Sequence, residues 1–265
     1  MAFVNTDYPI ITLTTDFGTG DNYVGIVKGV ILSLNRGVRI IDISHNVPAF
    51  NVAAGQYLVE TSRFYFPPGT IHVVVIDPGV GTKRKSLLIE TEDCFFVGPD
   101  NGLFSFLGKR EIKAVYNLTS GKYLPGEISP TFHARDIFAP VGGYLSLGVA
   151  PDEFGPAMGS IHRSKRAGCR KTKEGITGSV IYIDHFGNLV TSIRCDDLPS
   201  SRFNIFINDR NVGALKKTFG AAGTGRPLAY INSFGYVEIG VNGGSAAEYF
   251  SVDYGSKSRI LIASK

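Results

Sequence analysis

Two aspartates stand where a sheet protein can hold a ligand. Asp16 follows a strand-like run in Thr14-Thr15-Asp16-Phe17-Gly18, and Asp77 follows another in Val75-Ile76-Asp77-Pro78-Gly79-Val80-Gly81. In an open α/β sheet, ligands bind outside the carboxyl ends of the strands. Either aspartate alone is equally well a turn or helix-cap residue. Both together, at adjacent sheet positions and each followed by glycines that let a ligand approach, point to a site. Arg84 comes seven residues after Asp77, across the glycine turn, and can fold back onto it. Between Lys83 and Lys85 it also reads as solvated surface. His133 stands in Pro130-Thr131-Phe132-His133-Ala134-Arg135-Asp136, just ahead of a helix-like segment, where a single histidine is commonly structural.

Other chemistries fit less well. Gly18, Gly20 and Gly25 lack the spacing of a dinucleotide fingerprint, and the Gly79–Ser86 loop lacks Gly-Lys-Ser/Thr and leads into a strand. Without a helix N-terminus there is no ready anion site, so a nucleoside or a cationic ligand fits better than a triphosphate. His133 and Asp136 are possible metal ligands. His45, His72, His162 and His185 show no paired spacing, so a divalent metal site is the weaker reading. In the second half, Ile183-Asp184-His185-Phe186-Gly187-Asn188 and Tyr230-Ile231-Asn232-Ser233-Phe234-Gly235-Tyr236 each end a strand in polar and aromatic residues around a glycine. Aromatic faces stack on bases and amides read base edges; either segment alone is also an ordinary turn.

The elements that must position these residues follow from periodicity. Ile10–Thr14 and Arg39–Ile43 read as strands, with Asp21 capping a helix between them whose Val24, Val27, Ile31 and Leu34 share a face. An amphipathic segment from about Asn51 to Phe64 follows, then His72–Ile76 as a strand buried on both faces. Ser86–Glu90 and Cys94–Val97 are further strands, and Asp136–Leu147 reads as a helix. Such alternation predicts a layered α/β domain over 1–160 with helices on both faces of its sheet. From about Gly175 to the end, short runs separated by Gly, Asn and Asp turns predict a small β-barrel or sandwich without helices. Those runs are Ser179–Ile183, Leu189–Ile193, Phe203–Ile207, Leu228–Ile231, Tyr236–Val241 and Arg259–Ile262. The stretch 161–174 is the expected linker.

Composition limits the partners. Among 265 residues, 27 Lys and Arg against 23 Asp and Glu leave a net charge of +4, and the excess is local. Residues 163–174 hold six basic side chains and one acidic one, so no basic face for nucleic acid is expected. Cys94, Cys169 and Cys195 are odd in number and widely spaced, which suits a reducing, cytoplasmic setting. No secretory signal precedes the first strand. The apolar run from Val24 to Leu34 is too short to span a bilayer, so a soluble protein without a membrane partner is expected.

Six ordered segments carry a resemblance over nearly the whole chain: TTDFGTGDNYVG (14–25), VVVIDPGVGTKR (73–84), GPDNGL (98–103), PTFHARDIFAP (130–140), IDHFGNLVT (183–191) and YINSFGYVEIGVNGGSAA (230–247). The chain resembles the S-adenosylmethionine hydroxide adenosyltransferase family, whose relatives include fluorinase and chlorinase enzymes. The resemblance implies a three-layer α/β/α domain followed by a β-barrel domain. It also implies a homotrimer whose sites lie between one subunit's first domain and its neighbour's second. S-adenosyl-L-methionine is then the substrate, with no cofactor and no metal. By the same resemblance Asp77, Arg84 and His133 form the catalytic group, Asp16 holds the ribose hydroxyls and Phe50 lines the pocket. Asp184, Asn188, Ser233, Glu238 and Val241 are implied to contact substrate. The halogenating relatives lack the Asp and His that this chain retains, which places it with the water-using branch.

The implied reaction suits these residues. A neutral thioether leaves a sulfonium, so no general acid is needed; the nucleophilic water must be oriented, desolvated and relieved of a proton. Hydroxide attack on a cation cancels charge, which favours a dry pocket. Asp77 and Arg84 are expected to hold and polarise the water with His133 assisting, and the sequence does not choose the proton acceptor. Three competitors make different demands. A halide adenosyltransferase conflicts with a carboxylate that repels anions. A non-catalytic adenosine or S-adenosylmethionine binding module has no need of Asp77, Arg84 and His133 together. A metal-dependent phosphoesterase using Asp16, Asp77 and His133 requires an ion that a chelator would remove.

Overall fold

The computed structural model describes residues 8–164, 169–254 and 258–264, and the chain divides into two compact units, Met1–Ser164 and Lys165–Lys265. The first unit runs β1 (Ile10–Thr15), α1 (Tyr23–Leu34), β2 (Arg39–Ser44), α2 (Val52–Ser62), β3 (Thr70–Val75), β4 (Ser86–Thr91), β5 (Cys94–Pro99), β6 (Ile112–Asn117) and α3 (Ala139–Ser146). Its six strands form one sheet in the order β2-β1-β3-β5-β4-β6. The pairs β1–β2, β1–β3 and β3–β5 are parallel, whereas β4 is antiparallel to both β5 and β6.

Strand alternation sorts the core. Ile11, Leu13, Ile71, Val73 and Val75 pack in one cluster with Val27 and Ile31 of α1 and Val141 of α3. Thr12 and His72 face the other way and bond to each other, at 2.7 Å between Oγ1 and Nδ1. There α2 comes close: a Cβ added to Gly55 would lie 2.6 Å from Ile76 Cδ1 and 3.3 Å from Leu103 Cδ1, so a larger residue would make the buried Ile76 side chain shift. All six residues of β3 are buried, as the apolar run predicts for a strand flanked on both sides.

Some local expectations are corrected. Asp21 does not cap α1; the cap position is Asn22, and no side chain bonds there. Val27 and Ile31 are buried as expected, while Val24 and Leu34 are only partly so. The helix expected over Asp136–Leu147 begins earlier, as a π-helical turn Ala134–Phe138 that continues into α3. Edge strand β6 (IKAVYN) has mixed exposure, an ambiguous pattern that the sequence reading passed over.

The second unit contains β7 (Arg170–Thr172), β8 (Gly175–Gly178), β9 (Val180–Ile183), β10 (Leu189–Arg194), β11 (Phe203–Ile207), β12 (Arg210–Gly213), β13 (Pro227–Ile231), β14 (Tyr236–Val241), α4 (Ala246–Phe250) and β15 (Ile260–Ser264). They form a four-stranded sheet, β13-β14-β10-β9, and a five-stranded sheet, β12-β11-β15-β8-β7, and no pairing among the described residues closes them into one barrel. The helix-free expectation is corrected by α4, whose Ser245 cap accepts from Glu248 N at 3.1 Å. Part of the expected linker is ordered: Arg170–Thr172 pairs with β8, while residues 165–168 lie outside the described residues. Among the described residues no helix is long and apolar enough to cross a membrane.

His72 makes the first unit acid-sensitive. Burial first, and then the charge of Arg63, lower its ring pKa to about 4; the ring stacks on Phe96, with centroids 5.1 Å apart. An unfolded chain binds this proton near pH 6.5 and the folded one does not until about pH 4. The stability is therefore present above pH 6.5 and lost as pH falls through that window, by about 2 kcal/mol between pH 7 and pH 5. His72→Asn, which can keep the bond to Thr12, should show a shallower loss in denaturant titrations at the two pH values. Equal losses in both proteins would remove His72 as the cause.

Candidate active site

Adjacent parallel strands β1 and β3 end at Thr15 and Val75, and their next acidic residues, Asp16 and Asp77, both line a cavity of about 520 Å³. Phe50, Ser129, Thr131 and His133 line it too. Arg84 folds back across the glycine turn. Its Nε donates to Asp77 Oδ1 at 2.9 Å and its Nη2 to Asp77 Oδ2, with both side chains largely buried. Nη2 also reaches His133 Nδ1 at 2.7 Å, while Nη1 donates to Ser86 Oγ at 2.9 Å and Lys85 O at 3.2 Å. Every N–H of the guanidinium is thereby used. The alternative reading of Arg84 as solvated surface fails.

These contacts fix the state of His133. A guanidinium only donates, so Nδ1 must be the acceptor, and the ring is neutral with its proton on Nε2. Burial and then the Arg84 charge lower the ring's pKa, against the pull of Asp77 and Asp136. The histidine therefore offers the cavity an N–H. Each Asp77 oxygen takes a hydrogen bond from Arg84 and retains a lone pair.

The turn between Asp77 and Arg84 is held against the segment that carries His133. Gly81 has φ +76°, and a Cβ there would lie 2.3 Å from Pro130 O. Gly81→Ala is therefore strained in backbone and in space, and should part the Asp77 turn from the Pro130–His133 segment. A loss of about tenfold or more in kcat/KM is expected from such a displacement, in a protein still folded by circular dichroism. Wild-type kinetics in that variant would show that the close approach has no catalytic consequence.

Asp16 holds a second wall. Its Oδ2 accepts from Phe50 N at 2.8 Å, and Phe50, at φ +64°, occupies the left-handed region that a bulky residue rarely adopts. The residue is 69% exposed. Burial, the largest influence, raises the Asp16 carboxyl pKa, the bond from Phe50 opposes this, and the Asp77 charge adds to it. Phe17, Tyr23 and Phe132 also line the cavity and pack on each other, with Tyr23 and Phe132 edge-on at 5.3 Å. Sequence reading missed these three as lining, although they lie inside the two segments that carry Asp16 and His133.

In the second unit, Asp184 and Asn188 form one polar turn. Asp184 Oδ1 accepts from Asn188 N at 2.8 Å and Phe186 N at 2.9 Å, while Oδ2 accepts from Asn188 Nδ2 at 2.8 Å. Glu238 is buried and accepts from Tyr230 Oη and, at 2.7 Å, from Asn232 Nδ2. Burial raises its carboxyl pKa most; those bonds oppose it and Asp184 adds to it. Ser233 is exposed on the turn before β14, and Val241 is packed in the unit's apolar core. Tyr230 and Asn232, an aromatic and an amide that the sequence offers for contact with a base, are partners of Glu238.

Among the described residues no group of three or more His, Cys, Asp and Glu is gathered as a metal could use. At Asp77 a cation would have to displace or face a guanidinium.

Comparison with known proteins places the chain. Residues 11–155 match the SAM hydroxide adenosyltransferase N-terminal domain, and residues 178–259 its C-terminal domain. A protein from Methanocaldococcus jannaschii named (R)-S-adenosyl-L-methionine hydrolase is 37% identical, with 95% of each chain covered. One of the same name from Salinispora tropica is 35% identical, covering 95% of this chain and 97% of its own. The crystal structure of an uncharacterized conserved protein from Thermotoga maritima superposes with a TM-score of 0.84 at 33% identity, covering 95% of this chain and 99% of the other. With both domains matched in order, the chain belongs to the SAM hydroxide adenosyltransferase family.

Proposed function

We propose that this protein is an S-adenosylmethionine hydrolase that forms adenosine and methionine by attack of water on the ribose C5′. The observation that carries the reading is the Asp77–Arg84–His133 cluster at the wall of the first unit's cavity. The water oxygen forms a bond to C5′, the C5′–S bond breaks with its electron pair going to sulfur, and one water proton is released. Asp77 accepts a hydrogen bond from the water through a lone pair that Arg84 leaves free. His133 donates its Nε2–H to the water oxygen and so directs a lone pair towards carbon. Because Nδ1 is occupied and Nε2 already protonated, Asp77 is the group that first takes the proton, and solvent removes it later. Arg84 holds both partners in register, and Phe17, Tyr23 and Phe132 give the same cavity an aromatic wall.

The names of the relatives point to the (R) sulfonium form as the preferred epimer. Asp16 has an oxygen free of Phe50 with which to take the ribose hydroxyls, and Phe50 covers the same wall. Asp184, Asn188, Ser233, Glu238 and Val241 contact the substrate, a role supported by the family resemblance. The same resemblance supports a three-layer first domain, a barrel-like second domain and a homotrimer, which a mass measurement in solution tests. The cytoplasmic setting is supported by three free cysteines. Catalysis is proposed to need no cofactor or metal, so activity should survive a chelator.

Reaction in heavy-oxygen water tests the chemistry. The label should appear on the adenosine 5′-hydroxyl and not in methionine, with the (R) epimer consumed faster. Methylthioadenosine or free adenine as product would overturn the assignment.

A further inference from the structure

We infer that His45, which does not line the cavity, is a positioning residue that holds Asp16 in place through Thr15. Its Nδ1 lies 2.9 Å from Thr15 Oγ1, and Thr15 immediately precedes Asp16. Phe17 N, on the other side of Asp16, donates to the same Thr15 oxygen at 3.3 Å. The backbone on both sides of Asp16 is therefore tied to one hydroxyl, and that hydroxyl to one imidazole. The histidine's own carbonyl accepts from Gly18 N at 2.7 Å, and Val47 N donates to Thr15 O at 3.3 Å. His45 thus stands where two cavity-forming segments cross, residues 15–18 and residues 45–50. Those segments meet again where Phe50 N donates to Asp16 Oδ2.

The ring is anchored from behind. His45 Nε2 lies 3.0 Å from Asp42 Oδ1, and Lys28 Nζ lies 2.6 Å from Asp42 Oδ2. Thr15 and His45 are both buried, at 2% and 6% exposure. The Thr15 hydroxyl accepts the Phe17 N–H and still has a lone pair and its own hydrogen with which to meet Nδ1. Lys28 sits on α1 and Asp42 on β2, so the line runs from rigid elements to the loop that bears Asp16. A side chain used to grip ribose hydroxyls has to be held to a fraction of an ångström, and Thr15 joins the His45 ring to the backbone on the far side of Asp16.

The inference rests on the proposed role of Asp16 towards substrate. Wild-type hydrolysis of S-adenosyl-L-methionine is therefore established first; without it the functional reading fails and the role of His45 is overturned with it. With activity in hand, Thr15→Val and His45→Leu should each raise KM by about tenfold with kcat within about threefold of wild type. His45→Asn offers an amide oxygen where Nδ1 was, and should restore a near-normal KM. The double variant Thr15→Val/His45→Leu should be no worse than Thr15→Val alone, because both cut the same line. A purely structural histidine would lower the melting temperature in all three single variants and leave KM alone. Wild-type KM in folded His45→Leu or folded Thr15→Val, or multiplied effects in the double variant, would overturn the inference; whichever of the two folds carries the test.

Discussion

Asp77→Asn should slow hydrolysis by about 10²-fold or more, with KM changed far less. Asparagine keeps the shape and one acceptor oxygen, but the second position becomes an N–H₂ group. Arg84 uses both carboxylate oxygens, so one of its two bonds becomes a clash of donors. The other loss is the negative charge near the attacking water. A neutral amide cannot take a proton at the pH of the assay, and it orients the water without making it more nucleophilic. Ground-state binding of the substrate depends mainly on contacts elsewhere, which is why the effect should fall on kcat. Single-turnover kinetics with S-adenosyl-L-methionine, beside a melting curve to show that the variant is folded, separates the two quantities. Near-normal turnover in a folded Asp77→Asn protein would remove Asp77 from the mechanism.

Much of this was legible in the residues themselves, for physical reasons. The run His72–Ile76 has no polar interruption after His72, and a strand buried on both faces is what such a run forms; Val73 and Val75 duly meet α1 and α3 while Val74 and Ile76 face the other side. Asp16 and Asp77 could be paired as ligand-facing because adjacent parallel strands bring equivalent ends together. The fold-back of Arg84 was visible as a possibility only, since a lone arginine between two lysines carries no local signal of its partner. Helix onset was less legible: the chain enters the helix through a π-helical turn at Ala134–Phe138, and an i to i+5 turn has no apolar periodicity of its own to announce it. The wall of Phe17, Tyr23 and Phe132 comes from two segments more than a hundred residues apart in sequence. No periodicity links such residues. His45 was weighed only as a possible metal ligand, because its role passes through Thr15 and a turn. In the second unit the polar roles of Asp184, Asn188 and Glu238 came from family resemblance, and the residues that hold Glu238, Tyr230 and Asn232, emerged only from the fold.

Arg84→Lys should reduce kcat by about 10²-fold, although the charge is conserved. The guanidinium makes five contacts from three nitrogens: two to Asp77, one to His133, one to Ser86 and one to Lys85. An ammonium has three donors on one atom at the end of a flexible stem. It can reach one Asp77 oxygen and one further partner, but it cannot grip both oxygens side by side and also span to the imidazole. His133 then loses the donor that keeps Nδ1 occupied, and its ring is free to rotate or to change tautomer. Either change removes the Nε2–H from its place beside the water. Asp77, buried with an exposure of 5% on its side chain, keeps a countercharge, so the fold should survive with a modest loss of stability; Arg84→Met would leave that carboxylate buried and unpaired, at about 3–5 kcal/mol. The comparison between the two variants isolates geometry from charge. If geometry dominates, Arg84→Lys melts near wild type yet turns over slowly, whereas Arg84→Met is both slow and unstable. A lysine variant that works within a few-fold of wild type would mean that only the positive charge matters, and that the bridge from Arg84 to His133 has no part in orienting the nucleophile.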